Sequence, residues 1–240
     1  MKTHAFWIKA SFLLLGCFLF SFPTFAQWTA GNGNVIEQSR EVASFDIIKA
    51  QSGINLYLTQ GSQPALTVRA DENLMDKIVT KVEGNTLYLD IKGSIRKSKA
   101  LDVLVTLKDL KELYASGGSD VYAEEGLKLE ELKLFCSGGS DTRLKIEAGR
   151  LECKTSGGSD AILSGTVNTL MVESSGGSDF NGKKLEAVNC KIQTSGASDV
   201  WVHATGEIEM DASGASDIHH TGGAKVVSSR SSGGSDIHAN

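Results

Sequence analysis

The stretch Ser116-Gly117-Gly118-Ser119-Asp120 decides the fold of this chain, because it returns six more times before the C-terminus. The later copies read Ser-Gly-Gly-Ser-Asp or Ser-Gly-Ala-Ser-Asp and begin at Ser137, Ser156, Ser175, Ser195, Ser213 and Ser232. Successive copies are separated by 21, 19, 19, 20, 18 and 19 residues. A turn that recurs at such a period is typical of stacked structural repeats, none of which can bury its apolar face alone.

The residues that precede each turn alternate between apolar and polar. The third residue before the turn is apolar in all copies but the last, which has Ser229: Leu113, Leu134, Cys153, Val172, Ile192 and Met210. The fourth is mostly charged, as in Glu112 and Lys133, so the pattern indicates strands with one buried face and no helical period. Identical strands and turns stack in parallel. The sequence therefore predicts an all-β fold, a single-stranded parallel β-helix (solenoid), right-handed, with about 19–20 residues per coil.

The N-terminal residues 1–26 predict a secretory signal peptide. Lys2 and Lys9 lie close to an apolar run, and Ala26 ends a small-residue cleavage site. A lipoprotein box ending at Cys17 is the competing interpretation, but the apolar stretch continues past that cysteine, which favours simple export. We therefore expect an exported protein located in the periplasm, on the outer-membrane surface or outside the cell.

The predicted mature chain, residues 27–240, is interpreted as a single β-helical domain. Residues 27–115 would form irregular coils with a candidate cap, and residues 116–240 the regular coils. In the irregular part, Gln51-Ser52-Gly53-Ile54-Asn55 resembles a diverged turn, about three coils before Ser116 by its distance along the chain. Apolar spacing in residues 73–82 predicts a short helix that would block edge pairing at the end of the solenoid.

Net charge limits the kinds of binding partner, and cysteine number limits the disulfide bonds. The net charge is −5, and loss of Lys2 and Lys9 with the leader lowers it to −7 without leaving a basic cluster, which argues against a nucleic-acid partner. No transmembrane span is predicted in the mature chain. The remaining cysteines, Cys136, Cys153 and Cys190, are odd in number and occupy strand positions of one parity, so we expect buried thiols and no disulfide framework.

The last residue of the repeated turn predicts a ladder of carboxylates. Stacked in register, these residues would lie about 5 Å apart along one line: Asp120, Asp141, Asp160, Asp179, Asp199, Asp217 and Asp236. Serine hydroxyls and turn amides can offset the repulsion, which favours a structural ladder without a cofactor. Calcium is the alternative, although the turn recurs too seldom for the nine-residue calcium-binding β-helix repeat, and no paired acidic bend is present.

A second line of residues, two places after each aspartate, is predicted to face outward: Tyr122, Arg143, Ile162, Asn181, Trp201, His219 and His238. Exposed aromatic rings on a regular β surface can stack on sugars or anchor a partner protein. Tyr122, Trp201, His219 and His238 are therefore the candidate binding residues, against the alternative of scattered surface residues. His219 and His238 could also share a metal with His220, but spacing fixes no third ligand, so no metal is assigned.

Taken together, these motifs resemble a known family. The leader, the turn Gly53-Ile54-Asn55, the segment from Leu101 to Leu113 and the repeated turn are similar to the autotransporter adhesin head GIN domain family, which occurs mainly in Bacteroidota. The resemblance covers residues 45–238. It implies an exported β-helical protein with a role in adhesion.

No nucleophile-elbow, zinc-protease, Cys-x-x-Cys or phosphate-loop motif is present, so we expect no enzyme activity. The leading hypothesis is an adhesin-like scaffold whose regular surface binds an envelope glycan or a surface partner. The alternatives are a polysaccharide-active β-helix enzyme of the lyase or hydrolase kind, which would need acids and bases that break the ladder, and a purely structural envelope protein.

Overall fold

The computed structural model describes residues 28–239, so the predicted signal peptide, with Cys17 and Ala26, lies outside the described residues. It contains eighteen strands and one 3₁₀ helix. The irregular part comprises β1 Trp28–Ala30, β2 Val35–Arg40, β3 Ile47–Ala50, β4 Asn55–Gln60, β5 Ala65–Asp71, the 3₁₀ helix Glu72–Lys77, β6 Ile78–Glu83, β7 Thr86–Ile91, β8 Ser94–Lys97, β9 Leu101–Leu107 and β10 Glu112–Ala115. The regular part comprises β11 Asp120–Ser137, β12 Asp141–Gly157, β13 Asp160–Gly176, β14 Asp179–Gly196, β15 Val200–Gly214, β16 Asp217–Thr221, β17 Lys225–Gly233 and β18 Asp236–Ala239.

The regular strands confirm the predicted parallel solenoid, which makes about seven turns. Strands β11 to β15 each run for most of one coil, and each pairs in parallel with the same segment of the next coil. Apolar residues therefore stack on apolar residues: Leu113, Leu134, Cys153, Val172, Ile192 and Met210 follow one another in register and are all buried. One continuous core fills the interior of the described coils.

The diverged turn at residues 51–55 exists, but its predicted place was wrong. It lies directly beneath the turn at Ser116, because β3 pairs with β10 and β4 pairs with β11. Ser119 Oγ accepts the amides of Gly53 and Ile54 at 3.2 Å. The intervening chain does not add three coils. Its strands β7 and β9 pair in parallel with β3 and β4 as one further layer, whereas β5 and β6 pair antiparallel with β9 and β7. The chain then returns as β10, which pairs with β3.

The predicted helix at residues 73–82 is also corrected. The 3₁₀ helix occupies Glu72–Lys77, and the chain then turns into strand β6. Leu74 and Met75 are buried. The β-branched Ile78 and Val79 continue as a strand that pairs antiparallel with β7, whereas β2 and β5 form an antiparallel extension beyond β9. Antiparallel strands thus follow the parallel stack at its N-terminal end. Among residues 28–239, no helix has the length and apolarity needed to cross a membrane.

Candidate functional site

The second serine of each repeated turn fixes the shape of the turn, and so the position of the strand residues that follow it. Ser119, Ser140, Ser159, Ser178, Ser198, Ser216 and Ser235 are all buried. In six of the turns this hydroxyl donates to the carbonyl of the first serine, as Ser159 does to Ser156 at 2.9 Å. The Ser159 hydroxyl also lies 3.0 Å from the Cys136 carbonyl of the preceding coil. Each turn is therefore closed on itself, and several are tied to the coil before them.

The aspartates form the predicted line, which continues through Asn55 to the buried Asp102 of β9. In five coil pairs, Oδ1 of one aspartate accepts the amide of the aspartate in the next coil, at 3.0 to 3.3 Å. Burial, together with the neighbouring Asp141 and Asp179 charges, raises the pKa of Asp160, which the amide of Asp179 partly opposes. These carboxylates thus link successive coils through hydrogen bonds.

The outward residues two places after each aspartate also lie in register, and we call them the outer column: Tyr57, Tyr122, Arg143, Ile162, Asn181, Trp201, His219 and His238. All four candidate binding residues from the sequence, Tyr122, Trp201, His219 and His238, belong to it. Trp201, His219 and His238 are neighbours in the column, but Tyr122 is separate from them. Tyr122 lies four coils from Trp201, and the three column residues between them carry no aromatic ring.

Two aromatic stacks flank the middle of the outer column, which continues past Tyr57 to the exposed Leu104. Tyr57 and Tyr122 are stacked with ring centroids 5.1 Å apart, and Arg143 lies 5.8 Å from the Tyr122 ring. At the other end Trp201 stacks on His219 at 5.4 Å, and His219 stacks on His238 at 4.7 Å. Lys183 lies 4.7 Å from the Trp201 ring. Several ring faces are therefore engaged by neighbouring rings or cations, which leaves ring edges for contact with a partner.

Between the two stacks lies a groove of about 460 Å³, which we call the basic groove. Its floor includes the outer-column residues Arg143, Ile162 and Asn181, and Ile162 is 40% exposed. Its walls carry Lys145, Lys183, Lys184 and Glu124 among other residues. The groove therefore combines an apolar floor with four cations and one acid, in a chain whose net charge is negative.

The cations of the basic groove are accessible to an anion, although Lys183 also lies over the Trp201 ring. Within residues 28–239, Lys145, Lys183 and Lys184 form no ion pair with an acidic side chain. Arg143 contacts Asp141 at 3.5 Å, a long distance for an ion pair, and both side chains are solvent-exposed. Such an exposed pair contributes little to stability, so an anionic ligand can compete for the guanidinium.

The structure separates His220 from the other two histidines. Because successive strand residues face opposite sides, His220 points into the core, where its Nδ1 has no hydrogen-bond partner within the described residues. Burial lowers its pKa. The hypothesis that His220 joins His219 and His238 at a metal is therefore wrong. Asp217 takes that place, since its carboxylate and the two outward imidazoles have ligand atoms within 4.8 Å of one another.

A second surface was missed by the sequence reasoning. Two positions before each turn, Tyr114 and Phe135 stack at 4.5 Å, and Lys49 lies 5.0 Å from the Tyr114 ring. A hydrogen bond to Glu112 raises the pKa of Tyr114 to about 12. These rings border a groove of about 670 Å³ that continues along Lys154, Glu173 and the first serines of the turns. Tabulating the second residue before each turn would have revealed this line.

The cysteine side chains are buried beneath both surfaces, and Cys136 adjoins the second groove. Cys136, Cys153 and Cys190 are free thiols and buried, as expected. Cys136 forms a hydrogen bond with the Thr142 hydroxyl. Burial raises the pKa of Cys136 to about 11 and that of Cys190 to about 12, and it raises the Cys153 pKa well above its usual value.

A parallel β-solenoid with in-register surface columns defines the general class of this protein. The chain belongs to the family described as "Putative auto-transporter adhesin, head GIN domain", whose model matches residues 44–224. Its structure resembles that of a "putative adhesin" from Bacteroides fragilis NCTC 9343, with 24% identity, a TM-score of 0.82 and coverage of 88% of this chain and 100% of the other.

Two further solved structures share the fold. A "putative adhesin" from Parabacteroides merdae ATCC 43184 has 19% identity and a TM-score of 0.71, covering 90% of this chain and 100% of the other. A "Putative lipid binding protein" from Parabacteroides distasonis ATCC 8503 has 21% identity and a TM-score of 0.71, covering 89% and 100%. No curated protein sequence matches this chain.

Proposed function

We propose that this protein is an exported, non-enzymatic, adhesin-like β-solenoid that binds an acidic glycan of the cell envelope along its outer column. Membership of the head GIN domain family and the adhesin-named structural relatives support the adhesin-like role and a surface location. The observation that supports an acidic glycan as the ligand is the basic groove. There, Arg143 and three lysines without an acidic partner surround an exposed isoleucine.

The groove suits a charged polysaccharide in shape and in chemistry. Its volume lies within the usual range of ligand sites, and it runs across several coils rather than closing around a small molecule. Guanidinium and ammonium groups bind carboxylate or sulfate oxygens through charge-assisted hydrogen bonds. The apolar floor at Ile162 can pack against the C–H face of a sugar. The ring edges of Tyr122 and Trp201 would flank the bound polysaccharide at either end of the groove.

The experiment measures binding of the purified mature protein to polygalacturonate, hyaluronate and dextran sulfate, with neutral dextran as the reference polymer. The test variant combines Lys145→Gln, Lys183→Gln and Lys184→Gln. The control combines Lys92→Gln, Lys97→Gln and Lys108→Gln, which changes the charge equally at exposed lysines outside the groove. We expect binding to at least one acidic polymer, weakened about tenfold or more in the test variant and unchanged in the control.

Three results would contradict the proposal. These are equal binding to neutral dextran, an equal loss in both triple variants, or no binding to any acidic polymer at low salt. Release of new reducing ends from the polymers would instead support the polysaccharide-active enzyme. Since exposed charges are screened by salt, we also expect binding to weaken steadily between about 0.05 and 0.5 M sodium chloride.

A further inference from the structure

The last two coils repeat one tripeptide, Asp217-Ile218-His219 and Asp236-Ile237-His238, in register. In two earlier coils the residue two places after the aspartate is a hydrogen-bond donor to that carboxylate. Tyr122 donates to Asp120 at 3.4 Å, and Arg143 contacts Asp141 at 3.5 Å. A neutral imidazole instead carries a nitrogen lone pair, which binds transition metals. The change of residue type therefore turns a hydrogen-bonded pair into a set of potential ligands.

We propose that Asp217, His219 and His238 bind one divalent transition metal ion, of the zinc class, on the outer column at the C-terminal end of the solenoid. Ligand atoms of the three side chains lie within 4.8 Å of one another. Zinc bonds to nitrogen or carboxylate oxygen are about 2.0–2.2 Å long, so any two ligand atoms must come within about 4 Å. Because a metal lies in the plane of each imidazole that binds it, and the His219 and His238 rings are stacked nearly parallel, one ring must rotate off the stack to complete the site. His238 can do so, since it is exposed near the end of β18.

The surroundings fix two of the three ligands. Oδ1 of Asp217 accepts the Asp236 amide at 3.0 Å, which orients the carboxylate and leaves its other oxygen for the metal. Trp201 stacks on one face of the His219 ring and orients it, so His219 stays in place when His238 rotates toward the ion. Two imidazoles and one carboxylate are a ligand set that zinc accepts, with water in the fourth position.

The metal would also stabilise the end of the solenoid. His219 lies on β16 and His238 on β18, so one ion joins the final coil to the coil before it. Terminal repeats have a neighbour on one side only, and β17 is exposed along most of its length. A ligand that binds only the folded coils raises the melting temperature with its concentration.

The test is titration of the metal-free mature protein with Zn²⁺ by calorimetry at pH 7.5, together with its melting curve. We expect one ion per chain and a rise in melting temperature of about 5 °C or more at a hundredfold excess over the dissociation constant. His219→Gln and His238→Gln should each weaken binding at least tenfold. The matched control is His203→Gln, an outward histidine bonded to Thr221, and it should bind like the unmodified protein.

A second readout uses Trp201, which stacks on the ligand His219. In a Trp28→Phe background, Cu²⁺ should quench the remaining tryptophan fluorescence, and His238→Gln should prevent this at the same copper concentration. A chain that binds no Zn²⁺ at millimolar concentration, or whose binding survives both histidine changes, would overturn the proposal. Circular dichroism of each variant checks that the histidine changes leave the protein folded.

Discussion

At the scale of single residues, the backbone angles of the repeated turn explain which amino acids occupy it. The second position is always glycine, and Gly117, Gly138, Gly157, Gly176, Gly196, Gly214 and Gly233 all have a positive φ. The third position has a positive φ only in the first two turns, at Gly118 and Gly139. The later turns can therefore use Ala197 and Ala215 there. Ser52, at the equivalent second position of the diverged turn, is the only non-glycine residue with a positive φ in residues 28–239.

Two neighbouring glycines test this explanation. At Gly176 φ is +84°, and an added Cβ would lie 3.0 Å from the Gly157 carbonyl oxygen. At Gly177 the nearest atom would be 3.7 Å away, and φ is not positive. We expect Gly176→Ala to lower the free energy of unfolding by about 1–3 kcal/mol and Gly177→Ala to change it by less than about 0.5 kcal/mol. Chemical denaturation measures both, and equal losses would contradict the explanation.

The thiols give a second prediction for single residues. Because burial raises the pKa of Cys136 to about 11 and that of Cys190 to about 12, almost no thiolate exists at neutral pH. We expect a maleimide or disulfide reagent at pH 8 to leave the three cysteines of residues 28–239 unmodified in the folded protein. Denaturant should expose all three. Rapid labelling of the folded protein would contradict the buried positions.

At the scale of elements, Asp71 joins the ends of several strands. This buried carboxylate ends β5 and accepts the amide of Lys99 at 2.7 Å and that of Ala100 at 3.4 Å, both just before β9. The bond from Lys99 is the largest cause that lowers the pKa of Asp71, and burial opposes it. The ionised side chain therefore helps to hold the N-terminal strands against the parallel stack.

The sign of this pKa shift sets the pH dependence. Since the folded pKa lies below the unfolded value of about 3.9, the carboxylate adds stability above that pH, and the contribution is lost as the pH falls through the folded pKa. We expect Asp71→Asn to cost about 1–3 kcal/mol at pH 7 and to flatten the decline in stability below about pH 4. Denaturation curves from pH 2.5 to 7 measure this. An unchanged acid profile would contradict it.

The aspartate ladder is the other element with a testable role. We propose that it is structural, because backbone amides of the next coil already occupy one carboxylate oxygen in five coil pairs. Adding millimolar Ca²⁺ to the metal-free protein should therefore leave the melting temperature unchanged within about 1 °C. A calcium-dependent rise of several degrees would instead favour an ion column.

At the scale of the whole molecule, the sequence predicted what the repeat controls. A turn every 18 to 21 residues fixes coil length, and alternation before it fixes which face is buried, so the solenoid and its in-register lines followed from residues 116–236. The N-terminal third lacks the repeat. There, distance along the chain suggested three coils, whereas β7 and β9 form one further parallel layer and β5 and β6 pair antiparallel with them.

The candidate site was predicted in the same uneven way. Position within the repeat placed Tyr122, Trp201, His219 and His238 in one column correctly. It could not reveal Lys183 and Lys184, because β13 and β14 pair with a register irregularity between Ile162 and Ser164, just where these lysines enter. Lys145 pairs with Ser164 in regular register, and the shift then pairs Ser164 with Lys184, so the two lysines line the same groove in a way that a regular alignment of the repeats does not show.

Both proposals depend on neighbouring coils being paired in register, residue by residue. The most direct test is a disulfide between Ile162→Cys and Asn181→Cys, which face outward on paired strands whose spacing is about 4.8 Å. The control pair, Ile162→Cys with Lys183→Cys, is displaced by two residues and would have to span more than about 7 Å. We expect mild oxidation to crosslink the first pair nearly completely and the second poorly, as measured by peptide mass spectrometry. Efficient crosslinking of the control pair, or failure of the first, would contradict the register on which the outer column is built.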